Sequence, residues 1–258
     1  MIAAHEWGER GAPAVVCLHG VTNQGGHFAR LAERLQERFH VVALDLRGHG
    51  RSTWEPPWHL EQHVADVAAA AAERGIERAA WLGHSFGGRI AHELAAARPE
   101  LVERLLLLDP AIRIDPAVGL FAAENARKER AYATFEEAVK RRYEESVLHH
   151  APRELVEAEL RAHMEQGDDG RWRYRYCQSA VVAAYGEMSR EPAPFERARL
   201  PTLLLLGERS YLPYDHLLDA HAAALGDLLE TVRVPGGHTV LWDALDETAA
   251  AVERALAV

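Results

Sequence analysis

A serine between glycines, Gly83-His84-Ser85-Phe86-Gly87, and a histidine behind a glycine pair, Gly236-Gly237-His238, are the residue types that nucleophilic catalysis uses. A serine hydroxyl is a weak nucleophile at neutral pH, and an imidazole beside it removes that limit by accepting its proton as the oxygen attacks. The chemistry this implies is acyl transfer, with Ser85 attacking a carbonyl carbon, His238 as general base, and N–H donors stabilising the oxyanion. Two backbone donors are on offer: the Phe86 amide at the start of a helix, and the Val21 amide in the Gly-rich loop 20–26.

These residues need a scaffold. A short apolar run ending at Trp81-Leu82 predicts a buried strand, and Arg89-Ile90-Ala91 opens an amphipathic helical pattern, so Ser85 falls at the apex of a sharp strand-to-helix turn. Such a turn leaves no room for side chains at 83 and 87, which are glycines. Further strands are expected at 3–7, 13–19, 40–44, 102–108, 201–206 and 228–234, with helices near 27–38, 59–74, 213–225 and from 241 onward. Strands alternating with helices at this spacing predict an α/β fold, a parallel sheet with helices on both faces. Ligands gather at the carboxyl ends of such strands, where Ser85 and Asp109 both fall.

The alternation breaks near Ile114. Residues 115–191 read as charged helical segments, roughly 117–132, 134–149, 152–166 and a last one to Met188, with a turn at Gly167-Asp168-Asp169-Gly170 and the alternation Trp172, Tyr174, Tyr176. The expected organisation is a core of 1–114 and 192–258 carrying a helical cap over 115–191. The three aromatics either line a pocket or pack on the body.

Composition narrows the function. The 258 residues hold 29 Lys and Arg against 39 Asp and Glu, a net charge of −10, which disfavours nucleic acid and anionic membranes as partners and leaves a small-molecule substrate as the expected one, with homo-oligomers open. Cys17 and Cys177 form no disulfide framework, and neither a signal-peptide core nor an apolar run of membrane-spanning length is present, so a cytoplasmic location is expected. His59 and His63 share a helix face at zinc-ligand spacing, but Glu61 is misplaced and no third ligand is evident, so a solvated helix face is expected and no metal. His149-His150 reads likewise as solvated surface, and Asp45 is placed to hold Arg47 or Arg51.

Taken together the chain resembles the α/β-hydrolase superfamily nearly end to end. His19-Gly20 looks like its oxyanion loop, residues 45–52 like the loop after the next strand, Gly-His-Ser-Phe-Gly-Gly like its nucleophile elbow, and Gly-Gly-His238 like its histidine loop. The resemblance implies an eight-stranded, mostly parallel sheet with a helical cap after the sixth strand, and makes His19, Gly20 and His84 candidate substrate contacts. Many members carry the triad acid after the seventh strand in a Gly-x-x-Asp pattern. Here that loop is Gly207-Glu208-Arg209-Ser210, with serine at the acid's position. Other members place the acid at the end of the sixth strand, which points to Asp109, with Glu208 and Asp215 as alternatives and Ser210 or no acid as a further one.

The implied activity is a cofactor-free serine hydrolase cleaving an ester, thioester or lactone through an acyl-enzyme. Three rival readings use the same fold: a carbon-carbon bond hydrolase or lyase/synthase of the type related to menaquinone biosynthesis, a perhydrolase, and a binding protein that has lost catalysis.

Overall fold

The computed structural model describes residues 1–257 apart from Val147 and His149, and the side chains of Glu145 and Ser146 are left aside. Among the described residues ten strands occur in two sheets. In chain order they are β1 (Ala4–Trp7), β2 (Ala14–Leu18), β3 (His40–Leu44), β4 (Ala79–His84), β5 (Val102–Leu108), β6 (Ala131–Tyr132), β7 (Met164–Gln166), β8 (Trp172–Tyr174), β9 (Thr202–Gly207) and β10 (Leu229–Val234). The short strands β6, β7 and β8 form a separate antiparallel sheet of order β6-β8-β7. The other seven make the main sheet, β1-β3-β2-β4-β5-β9-β10, with β1 antiparallel to β3 and every other pair parallel. That is one strand fewer than the resemblance implies. The chain supplies seven segments of strand pattern outside 115–191, and each becomes one of these strands.

Parallel strands are covered on both faces, so their residues read as unbroken apolar runs, and β3, β4 and β9 are buried at every position. Helices α1 (Ala29–Leu35), α2 (Leu60–Ala72) and α3 (Phe86–Ala97) accompany the first half of this sheet. The core divides by face. One cluster joins Val16, Leu18, Trp81, Ile90, Leu105 and Leu107, and the other joins Cys17, Phe28, Leu82, Leu106, Leu108 and Val252. Alternate residues of β2, β4 and β5 thus go to opposite sides, as the two-residue period of a strand requires.

Between β5 and β9 come α4 (Pro116–Ala126), α5 (Phe135–Ser146), α6 (Arg153–His163) and α7 (Gln178–Met188), together with the small sheet, where the pattern predicts only helical segments. Helices α8 (Asp215–Leu225), α9 (Val240–Asp243) and α10 (Leu245–Leu256) then complete the main sheet's cover. Tyr174 stacks on Tyr176 with ring centroids 5.5 Å apart and the Tyr132 ring meets Tyr174 edge-on, while Tyr176 also meets His49 of the body at 6.2 Å, so the aromatic alternation packs both within the insertion and on the body. Both junctions of the insertion are gripped by Arg89 of α3. Its guanidinium donates to the carbonyls of Ile112, Arg190 and Glu191 and pairs with Glu93 at 2.9 Å. Among the described residues, no helix is long and apolar enough to cross a membrane.

Candidate active site

Ser85 sits between β4 and α3 with φ 54° and ψ −119°, a left-handed conformation that non-glycine residues seldom adopt. Its backbone is held from both sides, by its N–H donating to the Leu108 carbonyl (3.2 Å) and by the Ala111 N–H donating to its own carbonyl (3.0 Å). The glycines around it are required by space. A Cβ on Gly83 would lie 2.4 Å from the Gly87 carbonyl oxygen, and one on Gly87 would lie 2.0 Å from that of Leu18. Strand, elbow and helix therefore approach as closely as backbone allows.

A carboxylate lies across the sheet's carboxyl edge. Asp109 follows β5, also in a left-handed conformation (φ 42°), and its N–H donates to Leu205 (2.7 Å). His238 Nδ1 lies 2.6 Å from Asp109 Oδ2, while Oδ1 accepts the Gly207 N–H at 2.8 Å. Such a pairing puts the imidazole proton on Nδ1 and leaves Nε2 as the basic nitrogen. Ser210 occupies the place where an aspartate is common, and its hydroxyl donates to the same Oδ2 at 2.5 Å. The other carboxylates are elsewhere: Glu208 is exposed, and Asp215 is exposed and paired with Arg233 at 3.0 Å. Neither meets His238, because each points outward from its element.

The glycine pair before His238 is no loose mount. Gly237 donates to Asp243 Oδ2 (3.0 Å), and the Arg209 N–H donates to the Gly236 carbonyl (2.9 Å). Asp243 Oδ1 in turn accepts the N–H groups of His150 and Ala151, joining the histidine loop to the insertion. Nothing in the sequence pattern marks Asp243 for this task, since its partners lie up to 93 positions away.

The loop after β2 is held through its carbonyls. The Leu46 N–H donates to His19 Nε2 (2.9 Å), so His19 carries its hydrogen on Nδ1 and donates it to the Gly20 carbonyl (2.8 Å), which also accepts from Asn23 N–H (3.1 Å). The Gly20–Val21 peptide is thereby fixed, and in a trans peptide the Val21 N–H points opposite to that carbonyl. His49 Nε2 lies 2.8 Å from the Val21 carbonyl and His163 Nε2 lies 3.1 Å from that of Thr22. Burial lowers the imidazoles of His19, His49 and His163, the last to about 3, so all three serve as neutral donors. His49 and His163 are members of this network that sequence reasoning missed.

These pieces surround one cavity of about 770 Å³ bordered by Gly20, Val21, His84, Ser85 and His238, with Arg142, Tyr185 and Met188 added from the insertion. Gly20 and His84 thus line the cavity. His19 does not; it is fully buried behind the loop and orients it. His84 Nε2 lies 2.9 Å from the His238 carbonyl, and its Nδ1 is buried without a partner. Phe86 opens α3, whose first N–H groups have no carbonyl within the helix, and its ring is buried against His63 at 5.4 Å.

His59 caps α2 by accepting the Gln62 N–H, whereas His63 is buried against Phe86 instead of solvated, because α2 turns that face inward. His149 lies outside the described residues, and no cluster of metal-ligating side chains occurs among the described ones. Asp45 holds neither arginine side chain: Arg47 pairs with Asp66 at 2.6 Å, and Asp45 accepts the N–H groups of Gly25 and Arg51. Burial would raise its carboxyl, but the bonds from His5, Arg51 and Gly25 outweigh it and keep the group well below the usual range.

Comparison with known proteins agrees with this architecture. A family model described as the alpha/beta hydrolase fold matches residues 13–245. The chain is 33% identical over 254 residues to Lipase LipV of Mycobacterium tuberculosis, across 97% of this chain and 95% of that one. It is 31% identical over 263 residues to the 3-hydroxybutyrate-oligomer hydrolase of Cupriavidus necator, across 92% and 86%. Among solved structures, E-2-(acetamidomethylene)succinate hydrolase superposes with a TM-score of 0.88 over 100% of this chain and 95% of that one, a likeness of fold at 21% identity. With its elbow serine, its parallel sheet and these full-length relatives, the chain belongs to the α/β hydrolase fold family and is a hydrolase of that family.

Proposed function

We propose that the protein is a serine hydrolase that cleaves a carboxylic ester, thioester or lactone through an acyl-enzyme. Ser85 is the nucleophile, His238 the base and Asp109 the acid. The observation that carries this reading is the 2.6 Å contact between His238 Nδ1 and Asp109 Oδ2 on the border of the cavity that Ser85 also lines. His238 Nε2 takes the Ser85 proton as Oγ bonds to the substrate carbonyl carbon, and Asp109 stabilises the imidazolium that forms. The amides of Val21 and Phe86 receive the oxyanion, held in place before the reaction by the carbonyl contacts of loop 20–22 and by the start of α3. Collapse of the tetrahedral intermediate expels the alcohol or thiol, which takes the proton from His238. The base then activates water to release the acid. Residues 115–191 are the cap that covers the cavity and supplies part of its wall.

A fluorophosphonate probe should label Ser85 and lose its target in Ser85→Ala. Turnover of a panel of aryl esters, lactones and vinylogous diketones by the wild type then assigns the bond. Hydrolysis of esters or lactones that disappears in Ser85→Ala supports the proposal. Retained esterase activity in that variant rules out the nucleophile, and turnover confined to diketones rules out the ester reading.

A further inference from the structure

Arg142 is a fixed positive charge in an unusual position. It lies on α5, only 5% exposed, and borders the same cavity as Ser85. A guanidinium does not lose its proton in a protein, so burial costs several kcal/mol unless opposite charge and hydrogen bonds compensate. The other deeply buried arginine in this fold obeys that rule, since Arg89 has Glu93 and three carbonyls. Arg142 does not. One hydrogen bond is formed, from Nη2 to Asn23 Oδ1 at 2.5 Å, and Nε is buried with no partner. The ring faces of Trp242 and Tyr174 lie 5.1 and 5.8 Å from its central carbon, a weak attraction that leaves the fork of N–H donors unfilled.

Among the described residues no carboxylate pairs with it. Burial raises the carboxyl of Glu159, the partly buried acid of α6, while His27 and the Arg142 charge bring it below the usual value, but its contacts lie elsewhere: its Oε1 lies 3.5 Å from His27 Nδ1 and accepts the Trp242 indole N–H at 3.4 Å. Of the other charged residues on the cavity wall, Arg113 pairs with Glu191 at 2.5 Å and Asp115 accepts the Ala117 N–H to cap α4. Asn23, the one side chain that holds Arg142, stands on the loop that also presents the Val21 amide. Whatever occupies the Arg142 fork therefore bears on the same loop as the reacting carbonyl.

We propose that Arg142 forms a carboxylate subsite, so that the ester, thioester or lactone cleaved at Ser85 carries a second, ionised carboxyl group. The planar guanidinium accommodates both carboxylate oxygens, which supplies the missing charge and the missing hydrogen-bond acceptors at once. This rests on the serine-hydrolase reading of the cavity and adds the class of substrate to it.

The test uses Ser85→Ala, so that ligands stay intact, and calorimetric titration with the monomethyl esters of succinic, glutaric and adipic acids. Each is compared with the methyl ester of the monocarboxylic acid of equal chain length. At least one hemiester should bind about 10- to 100-fold more tightly than its neutral counterpart, the range for a charge-assisted pair. Adding Arg142→Gln should abolish that preference, and Arg142→Lys should keep part of it, because the charge remains while the fork is lost. If every hemiester binds no better than its neutral partner, or if the preference survives Arg142→Gln, the subsite does not exist. The first of these outcomes is read without any Arg142 variant, so a folding failure in Arg142→Gln does not rescue the subsite. Should Ser85→Ala consume the esters during titration, the serine-hydrolase reading fails, and the hemiester preference is still read from binding at short times.

Discussion

At the scale of single residues, the acid is the point on which the site turns. Asp109 Oδ2 meets both His238 Nδ1 and the Ser210 hydroxyl, while Oδ1 holds Gly207. In Asp109→Asn the amide nitrogen placed against Nδ1 would force the imidazole hydrogen onto Nε2, leaving no base toward Ser85, while the remaining oxygen still accepts from Gly207. We expect kcat to fall by about 10⁴ with the fold retained. Steady-state kinetics alongside a thermal melt checks this, and near wild-type turnover would remove Asp109 from the mechanism. Ser210→Ala deletes only a supporting bond to a carboxylate, so the loss in kcat should stay below about tenfold and the cost in urea unfolding near 1–2 kcal/mol. A loss as large as that of Asp109→Asn would instead make Ser210 an equal partner in the relay.

At the scale of elements, the elbow is a problem of space. A Cβ at Gly87 meets the Leu18 carbonyl at 2.0 Å, and neither backbone can retreat because β2 lies between β3 and β4 in the sheet. Gly87→Ala should therefore abolish soluble folded protein or lower its stability by more than about 3 kcal/mol. Gly186→Ala in α7 makes the opposite case. Its added Cβ meets nothing within 4 Å, and removing a helical glycine should stabilise by about 0.5–1 kcal/mol. Urea midpoints for the two variants measure both claims, and equal effects would mean that the spacing at the elbow is not the cause.

The same contrast explains what the sequence makes legible. Strands β3 and β5 fall on their expected spans, 40–44 and 102–108, because the apolar stretches 41–44 and 105–108 are buried throughout. The small sheet of the insertion is not legible, since its strands have two or three residues, too few for any period to register. The proposed nucleophile Ser85 and base His238 stand in patterned loops and can be read directly. The acid cannot be fixed from Ser210 alone, and the histidines that hold loop 20–22 act across 28 to 141 positions, where no local spacing records the contact.

At the scale of the whole molecule, stability should depend on histidines. The chain has fifteen, ten of them buried among the described residues, and burial holds seven of those ten below the ordinary imidazole value. Burial lowers His63 and His163 to about 3 and His221 to about 4, and His19 and His84 well below the ordinary value. In the unfolded chain these groups take up protons near pH 6.5, so between that value and their folded values the unfolded state binds more protons and stability falls as pH falls. The depressed carboxylates Asp45 and Asp66 contribute nothing to this window, because their stabilisation is lost only below the unfolded carboxylate range near pH 4. From pH 7.5 to 5.5, His63, His163 and His221 together should cost on the order of 4 kcal/mol. Urea unfolding at the two pH values measures this, and His63→Leu should shrink the difference by about 1.4 kcal/mol, one group's share. A flat profile would mean that the imidazoles accept protons inside the fold. Because the neutral His163 and His19 also hold the carbonyls of loop 20–22, the unfolding that lets them take up protons releases the Val21 amide with it. Activity and stability should then fail together on acidification, with the histidines behind the cavity setting the limit.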